Sequence, residues 1–370
     1  MSFVYPLLNK VQQNIQVLLD RLCSEGRERG IQVAAYFRGD LIVNAWAGVA
    51  DVDTGAKVDS DTLFPVFSVT KGIVATIVHQ LVARDLFSYD TRISEVWPDF
   101  GVAGKERMTV EQVLRHTAGI TKMPAGTTVA EVADWNGICR KIAESPAEWE
   151  PGSRCEYHGL TYGWILGEVA RRADGRFFSQ LLQDEICAPL GIDTMFVGLP
   201  AAYDGRVAWL ENPHAETPPD DGTPQVVPFS MQPLFTWMNR LEGRQACVPA
   251  GNGLMNARAL ARHYAALLPG GVDGIELLSP ERVQLSARFG TPPVGDEMRP
   301  NGWGLGYLIG EPNDIMGESN TAFGVGGHGG AIGFADISLN LAVGLARNLF
   351  LPEDPALEII KELRRSLPGT

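Results

Sequence analysis

Basic residues are in short supply: 31 Lys and Arg stand against 44 Asp and Glu, a formal net charge of −13 over 370 residues. No run of Lys or Arg breaks this excess. The concentrated positive surface that nucleic acid or an anionic membrane demands is therefore missing. Long apolar runs are missing too, since the most apolar helical stretch, Gly72 to Val78, falls far short of the ~20 residues that span a bilayer. Phe3 to Leu8 is too short for a signal-peptide core, contains Pro6 and follows no basic stretch, so a cytoplasmic location is expected. Cys23, Cys139, Cys155, Cys187 and Cys247 are odd in number, form no CxxC pair and have no His at zinc-ligand spacing. This pattern argues for free thiols in a reducing compartment and against a disulfide framework or a metal site. Asp51, Asp53, Asp59 and Asp61 lack the ordered Gly and terminal Glu of a calcium loop and read as solvated turn residues. No metal site is expected.

What is present is an ordinary globular composition, 45% apolar and 20% charged, without repeats or low-complexity tracts. Leu8, Val11, Ile15, Leu18, Leu19 and Leu22 recur at helical spacing before Gly26, which predicts an amphipathic helix. Ile31 to Phe37 and Leu41 to Val49 are β-rich and joined by Arg38-Gly39-Asp40, a hairpin-like connection. Helical periodicity then dominates in Lys71–Leu86, Thr109–Arg115, Val129–Ala143, Thr161–Ala173 and Phe177–Leu190. Glu211 to Pro233 reads as a long loop over the surface or a cleft. Gly302–Ile309, Gly330–Leu339 and Leu341–Phe350 are β-runs, and a helix is predicted from Pro355 to Leu367. The order is that of an α+β fold: one antiparallel sheet from the first two and last three strands, terminal helices on one face, and a mostly helical insertion. Residues 1–66 with 240–370 form the expected sheet domain and 67–239 the helical one, with the active site at their junction.

The chemistry-bearing candidates begin with Ser68-Val69-Thr70-Lys71, where the periodic helix starts directly after Ser68. A serine at a helix start gains from backbone N–H groups that favour developing negative charge, and an amine one turn later can take its proton. For that role the Lys must be partly desolvated. The spacing by itself is equally that of an N-cap serine and a solvated lysine. No GxSxG surrounds any serine, which removes the nucleophile elbow that most esterases use.

Phe67-Ser68-Val69-Thr70-Lys71, then Val113-Leu114-Arg115-His116-Thr117-Ala118-Gly119-Ile120, then Trp149-Glu150-Pro151-Gly152-Ser153 leading to Tyr157, then Gly326-Gly327-His328-Gly329-Gly330 follow in that order. In these segments the chain resembles the serine β-lactamase and penicillin-binding-protein superfamily, and within it the carboxylesterases related to class C β-lactamases (family VIII). The resemblance runs from about residue 30 to 350. It implies a cofactor-free serine carboxylesterase with Ser68 as acylated nucleophile and Lys71 and Tyr157 as proton-handling partners. It also implies a third motif at His328-Gly329-Gly330, with backbone N–H groups of Ser68 and Ala331 holding the oxyanion, and a small-molecule ester as substrate.

Two departures shape the specificity. The second motif, Tyr157-His158-Gly159, ends in Gly where the family usually has Asn, which removes a side-chain amide suited to β-lactams and peptides. His328 replaces the family's Lys, and a histidine near its usual pKa of ~6.5 carries little charge at pH 7. The alternatives on the same fold are a β-lactamase, a D-aminopeptidase or a D-alanyl-D-alanine carboxypeptidase, and from another class a non-catalytic relative. His116 is expected to hydrogen-bond backbone at a helix end, His79, His214 and His263 to be packed or surface residues, His158 is ambiguous, and Cys155 is read as a small buried residue.

Overall fold

A computed structural model describes residues 4–214, 216, 220–288, 302–311, 315, 316 and 320–367. Phe3 of the Phe3–Leu8 run and part of the 211–233 loop lie outside them.

The first helix, α1 (Val4–Ser24), buries Val11, Ile15, Leu18, Leu19 and Leu22 on one face. These meet Ala356, Ile359, Ile360 and Leu363 of the last helix, Ala356–Ser366, over the outer face of a sheet. The sheet has seven strands in the order β3-β2-β1-β10-β9-β8-β7. They are β1 (Gly30–Phe37), β2 (Asp40–Asp51), β3 (Ala56–Lys57), β7 (Leu308–Ile309), β8 (Ala322–Gly326), β9 (Ile332–Asp336) and β10 (Leu341–Arg347). Every strand pair is antiparallel. The first and last long strands are neighbours, in register from Ile31 against Arg347 to Phe37 against Leu341.

Local chemistry explains these contacts. Arg38 and Gly39 both take positive φ, 54° and 84°, between the paired residues Phe37 and Asp40. That is the two-residue turn whose twist matches a hairpin. Among the described residues only the two-residue β3 continues the sheet beyond β2, and part of the β2 backbone has no strand partner there. Gln12 of α1 covers it, donating to the Asn44 carbonyl at 3.3 Å and accepting the Asn44 N–H at 2.7 Å, while Gln16 donates to the Trp46 carbonyl at 2.9 Å. On the inner face the helix Ala257–Ala265 lies almost on the strands. A Cβ on Gly344 would come within 2.3 Å of the Ala257 carbonyl.

A second sheet, β4-β6-β5, joins β4 (Phe64–Phe67), β5 (Met195–Val197) and β6 (Gly253–Met255). Neither this sheet nor β8 is predicted from the sequence, because strands of three to five residues show no readable alternation. The 302–309 run forms a strand only at Leu308–Ile309. The stretch Val129–Ala143 is two helices, since Asp134 ends the first and caps the second through Gly137 N–H at 3.1 Å. Phe177–Leu190 is helical but passes through a π turn at Gln183–Cys187. Among the described residues no helix is long and apolar enough to cross a membrane. The five cysteines form no disulfide, and Cys155 is buried.

The terminal helix is thus part of the core and not an appendage. Ile15→Ala should lower unfolding free energy by ~2–4 kcal/mol, the usual cost of an unfilled core site. Urea titration checks it; a loss below ~0.5 kcal/mol would mean α1 is not integral to the fold.

Candidate active site

Strand β4 ends at Phe67 with φ of 49°, a left-handed conformation that a bulky residue adopts only when its surroundings compel it. Here they do. Thr70 Oγ1 donates to the Phe67 carbonyl at 2.6 Å and accepts the Gly253 N–H of β6 at 2.9 Å. The chain turns through Ser68 and Val69 and enters α2 (Thr70–Ala83), so Ser68 stands half-buried at the mouth of that helix.

Lys71 comes round on the same face one turn later and is wholly buried. Its Nζ donates to Ser68 Oγ at 3.1 Å and to the Ala250 carbonyl at 2.8 Å. Burial holds its pKa well below that of a free lysine. Tyr157 arrives from a segment remote in sequence, with its Oη donating to Ser68 Oγ at 2.6 Å and Lys71 Nζ lying 4.7 Å from its ring centre. Serine, amine and phenol therefore meet at one oxygen. An amine whose charge is disfavoured, touching a hydroxyl, can serve as a general base, and a phenol on the same oxygen can pass a proton on.

The fourth segment lies alongside. Gly327 approaches β4 so closely that a Cβ there would sit 2.1 Å from the Val66 carbonyl. Gly327 N–H donates to the Ala331 carbonyl at 2.7 Å and Gly330 N–H to the Gly327 carbonyl at 3.1 Å, which folds the turn tightly. The His328 ring sits edge-on between Phe67 and Phe350, at 5.5 and 5.3 Å. Burial lowers its pKa, which keeps it neutral at pH 7.

Ser68, Tyr157, Gly159 and His328 open onto a cavity of about 570 Å³ whose other walls include Leu160, Val226, Val227, Leu234 and Phe235. Most of that wall belongs to the 211–233 stretch, the loop expected over the surface or a cleft, and to the start of the helix Leu234–Met238 that follows it. Val226 covers Gly159 directly: a Cβ on Gly159 would lie 2.2 Å from Val226 Cγ1. A larger groove of about 910 Å³ between α1 and the last helix is lined by neither Ser68 nor its partners.

His116 accepts the His158 N–H at 3.0 Å on Nδ1, just past the helix Val110–Leu114, as expected. His158 is buried, with Nδ1 on the Glu156 carbonyl at 2.7 Å and Nε2 accepting the Ile120 N–H at 3.1 Å. Burial draws its pKa down to about 4, so it holds backbone and is not a base at neutral pH. His79 and His263 are buried, whereas His214 lies on the cavity rim. Asp51 and Asp59 accept the N–H groups of Asp53 and Asp61, as turn residues do. Sequence reasoning missed Ala250, Val226 and Trp303, whose ring stacks on Tyr157 at 5.7 Å. A carbonyl and two apolar side chains carry no motif, and only the distant segments' convergence gives them a role.

A family model described as Beta-lactamase matches residues 11–364. Esterase/beta-lactamase LipL of Mycobacterium tuberculosis is 33% identical over 346 residues, covering 87% of this chain and 77% of the relative. Esterase EstB of Burkholderia gladioli is 28% identical over 90% of this chain and 89% of its own. The crystal structure of a family VIII carboxylesterase superposes with a TM-score of 0.85 at 30% identity, covering 96% of this chain and 98% of that one.

The depressed pKa of Lys71 has a consequence for stability. An unfolded lysine titrates near ~10.4, while the folded one releases its proton at lower pH. Between the two values the unfolded chain binds the extra proton, so this residue's contribution to stability rises with pH. Wild type should therefore gain on Lys71→Met as pH rises from 7 to 10, in urea unfolding at three pH values. Parallel stability profiles would show that Lys71 is not desolvated.

Proposed function

The chain belongs to the Beta-lactamase family, and from that premise we propose that it is a serine hydrolase that cleaves carboxylic esters of small molecules through an acyl-enzyme on Ser68. The convergence of Lys71 Nζ and Tyr157 Oη on Ser68 Oγ is the observation that carries this reading. Ser68 Oγ attacks the ester carbonyl while neutral Lys71, fixed by the Ala250 carbonyl, accepts its proton. The backbone N–H groups of Ser68 and Ala331 hold the oxyanion, a role supported by the close passage of Gly327 along β4. The carbon–oxygen bond to the alcohol then breaks, and the alcohol leaves with a proton handed over by Lys71 and Tyr157. A water that gives its proton to the same pair releases the acid and restores Ser68. The site falls at the junction of two proposed units, residues 1–66 with 240–370 and 67–239.

The ester preference rests on what surrounds Ser68. Gly159 offers no amide, and Val226 fills the space beside it. His328 is neutral at pH 7 and provides no fixed charge for a β-lactam carboxylate. A β-lactamase is the second reading, supported by the double name of the Mycobacterium relative.

Ser68→Ala should abolish turnover of p-nitrophenyl butyrate with the fold intact by circular dichroism; a variant that keeps substantial activity removes Ser68 from the mechanism. Tyr157→Phe and Lys71→Ala should each lower kcat by ~10²–10⁴-fold, the usual share of general acid and base assistance. The parent enzyme should hydrolyse short p-nitrophenyl esters with higher kcat/KM than nitrocefin. The reverse order would replace the esterase by the β-lactamase.

A further inference from the structure

His116 is wholly buried, and no step proposed at Ser68 uses it. Its φ of 58° is one that His and Asn tolerate better than most residues. Three contacts tie it to the segment around Tyr157. The His116 carbonyl accepts the Glu156 N–H at 3.0 Å, and its Nδ1 accepts the His158 N–H at 3.0 Å. Its ring lies against the phenol, centroids 4.9 Å apart at 42°. Both chain neighbours of Tyr157 thus hang on one residue, which also supports the aromatic ring between them.

The remaining walls keep that residue in place. Trp303 stacks on Tyr157 and meets the His116 ring edge at 4.1 Å, while Arg115 Nη1 donates to the Trp303 carbonyl at 3.1 Å. Tyr162 stacks on His116 at 5.0 Å. Accepting at Nδ1 leaves the His116 proton on Nε2, so the imidazole is neutral; a protonated ring would set N–H against N–H. Burial first, then His158 and Lys71, hold its pKa far below the usual value.

We propose that His116 is the positioning residue for Tyr157, clamping residues 156 and 158 so that the phenolic oxygen stays on Ser68 Oγ. The inference rests on the role proposed above for Tyr157. Proton relay tolerates little displacement, and the phenol is a long lever on its backbone. Loss of the clamp should be felt most where Tyr157 must protonate a poor leaving group, as in phenyl acetate. p-Nitrophenolate leaves with less need of a proton, so p-nitrophenyl acetate should suffer less.

The test is a double-mutant cycle, with kcat and KM measured for both acetates. His116→Ala should lower kcat/KM, which reports the acylation step and hence the leaving group, by ~10–100-fold for phenyl acetate and by clearly less for p-nitrophenyl acetate. In a Tyr157→Phe background the same change should cost under ~3-fold, because the group being positioned is gone. His116→Asn, whose Oδ1 can take the His158 N–H and which accepts the same φ, should recover part of the loss. Equal losses in the two backgrounds, or for the two leaving groups, would overturn the clamp and leave His116 a packing residue. If His116→Ala fails to fold, His116→Asn carries the cycle, with a loss of ~3–10-fold in wild type and none in Tyr157→Phe as the expected result. Tyr157→Phe turning over phenyl acetate at the wild-type rate would remove the role of Tyr157, and the clamp with it.

Discussion

The contact between the buried Lys71 amine and Ser68 Oγ sets the terms for the rest of the structure. A lysine in water holds its proton and is useless as a base at neutral pH. Enclosing it disfavours the charge, but the enclosure destabilises the folded chain wherever the unfolded one would bind that proton. The surrounding fold has to absorb that cost while keeping one face of the serine open. The Ala250 carbonyl gives Nζ a partner, and the Tyr157 ring covers it.

The architecture meets this demand by bringing together chain segments that are far apart. Strand β4 and helix α2 supply Ser68 and Lys71, and the bend between them is held by Thr70 and β6. Tyr157 comes from the non-helical segment between the helices Trp135–Glu144 and Thr161–Asp174. The turn 327–330 comes from the far end of the chain, between β8 and β9, and can approach only because Gly327 has no side chain. The long antiparallel sheet, covered on both faces, is the rigid frame that makes this meeting repeatable. Its two central strands are the first and last long ones of the chain, so closing the sheet also brings α1 and the last helix together.

Specificity is layered on the same frame by the 211–239 segment. It is tied to the helical side through the Met123 N–H on the Gln225 carbonyl at 2.8 Å and Ser230 Oγ on the Thr127 carbonyl at 2.8 Å. These ties set Val226 over Gly159, so the missing side chain in the second motif and the apolar wall of the cavity form a single feature. The solved family VIII carboxylesterase shares the frame, and such local details are where members of one fold diverge in substrate.

Much of this was legible in the residues themselves. The periodicity of Val11 to Leu22, the alternation around Arg38-Gly39, and the ordered segments at Ser68, His116, Tyr157 and His328 are properties of contiguous chain, where spacing alone sets which groups share a face. Periodicity and alternation predicted the α+β order, and the ordered segments carried the family resemblance that implied the site candidates and the ester chemistry. What the sequence could not settle depends on contacts between distant segments. Short strands such as β5 and β6 exist only because each pairs with a partner far along the chain, and Asp134 splits a periodic stretch that reads as one helix. The burial of Lys71, the cover of Gly159 by Val226 and the hold of His116 on residues 156 and 158 likewise arise only when the chain closes. Desolvation and close packing are properties of a neighbourhood, and the neighbours are chosen by the tertiary structure.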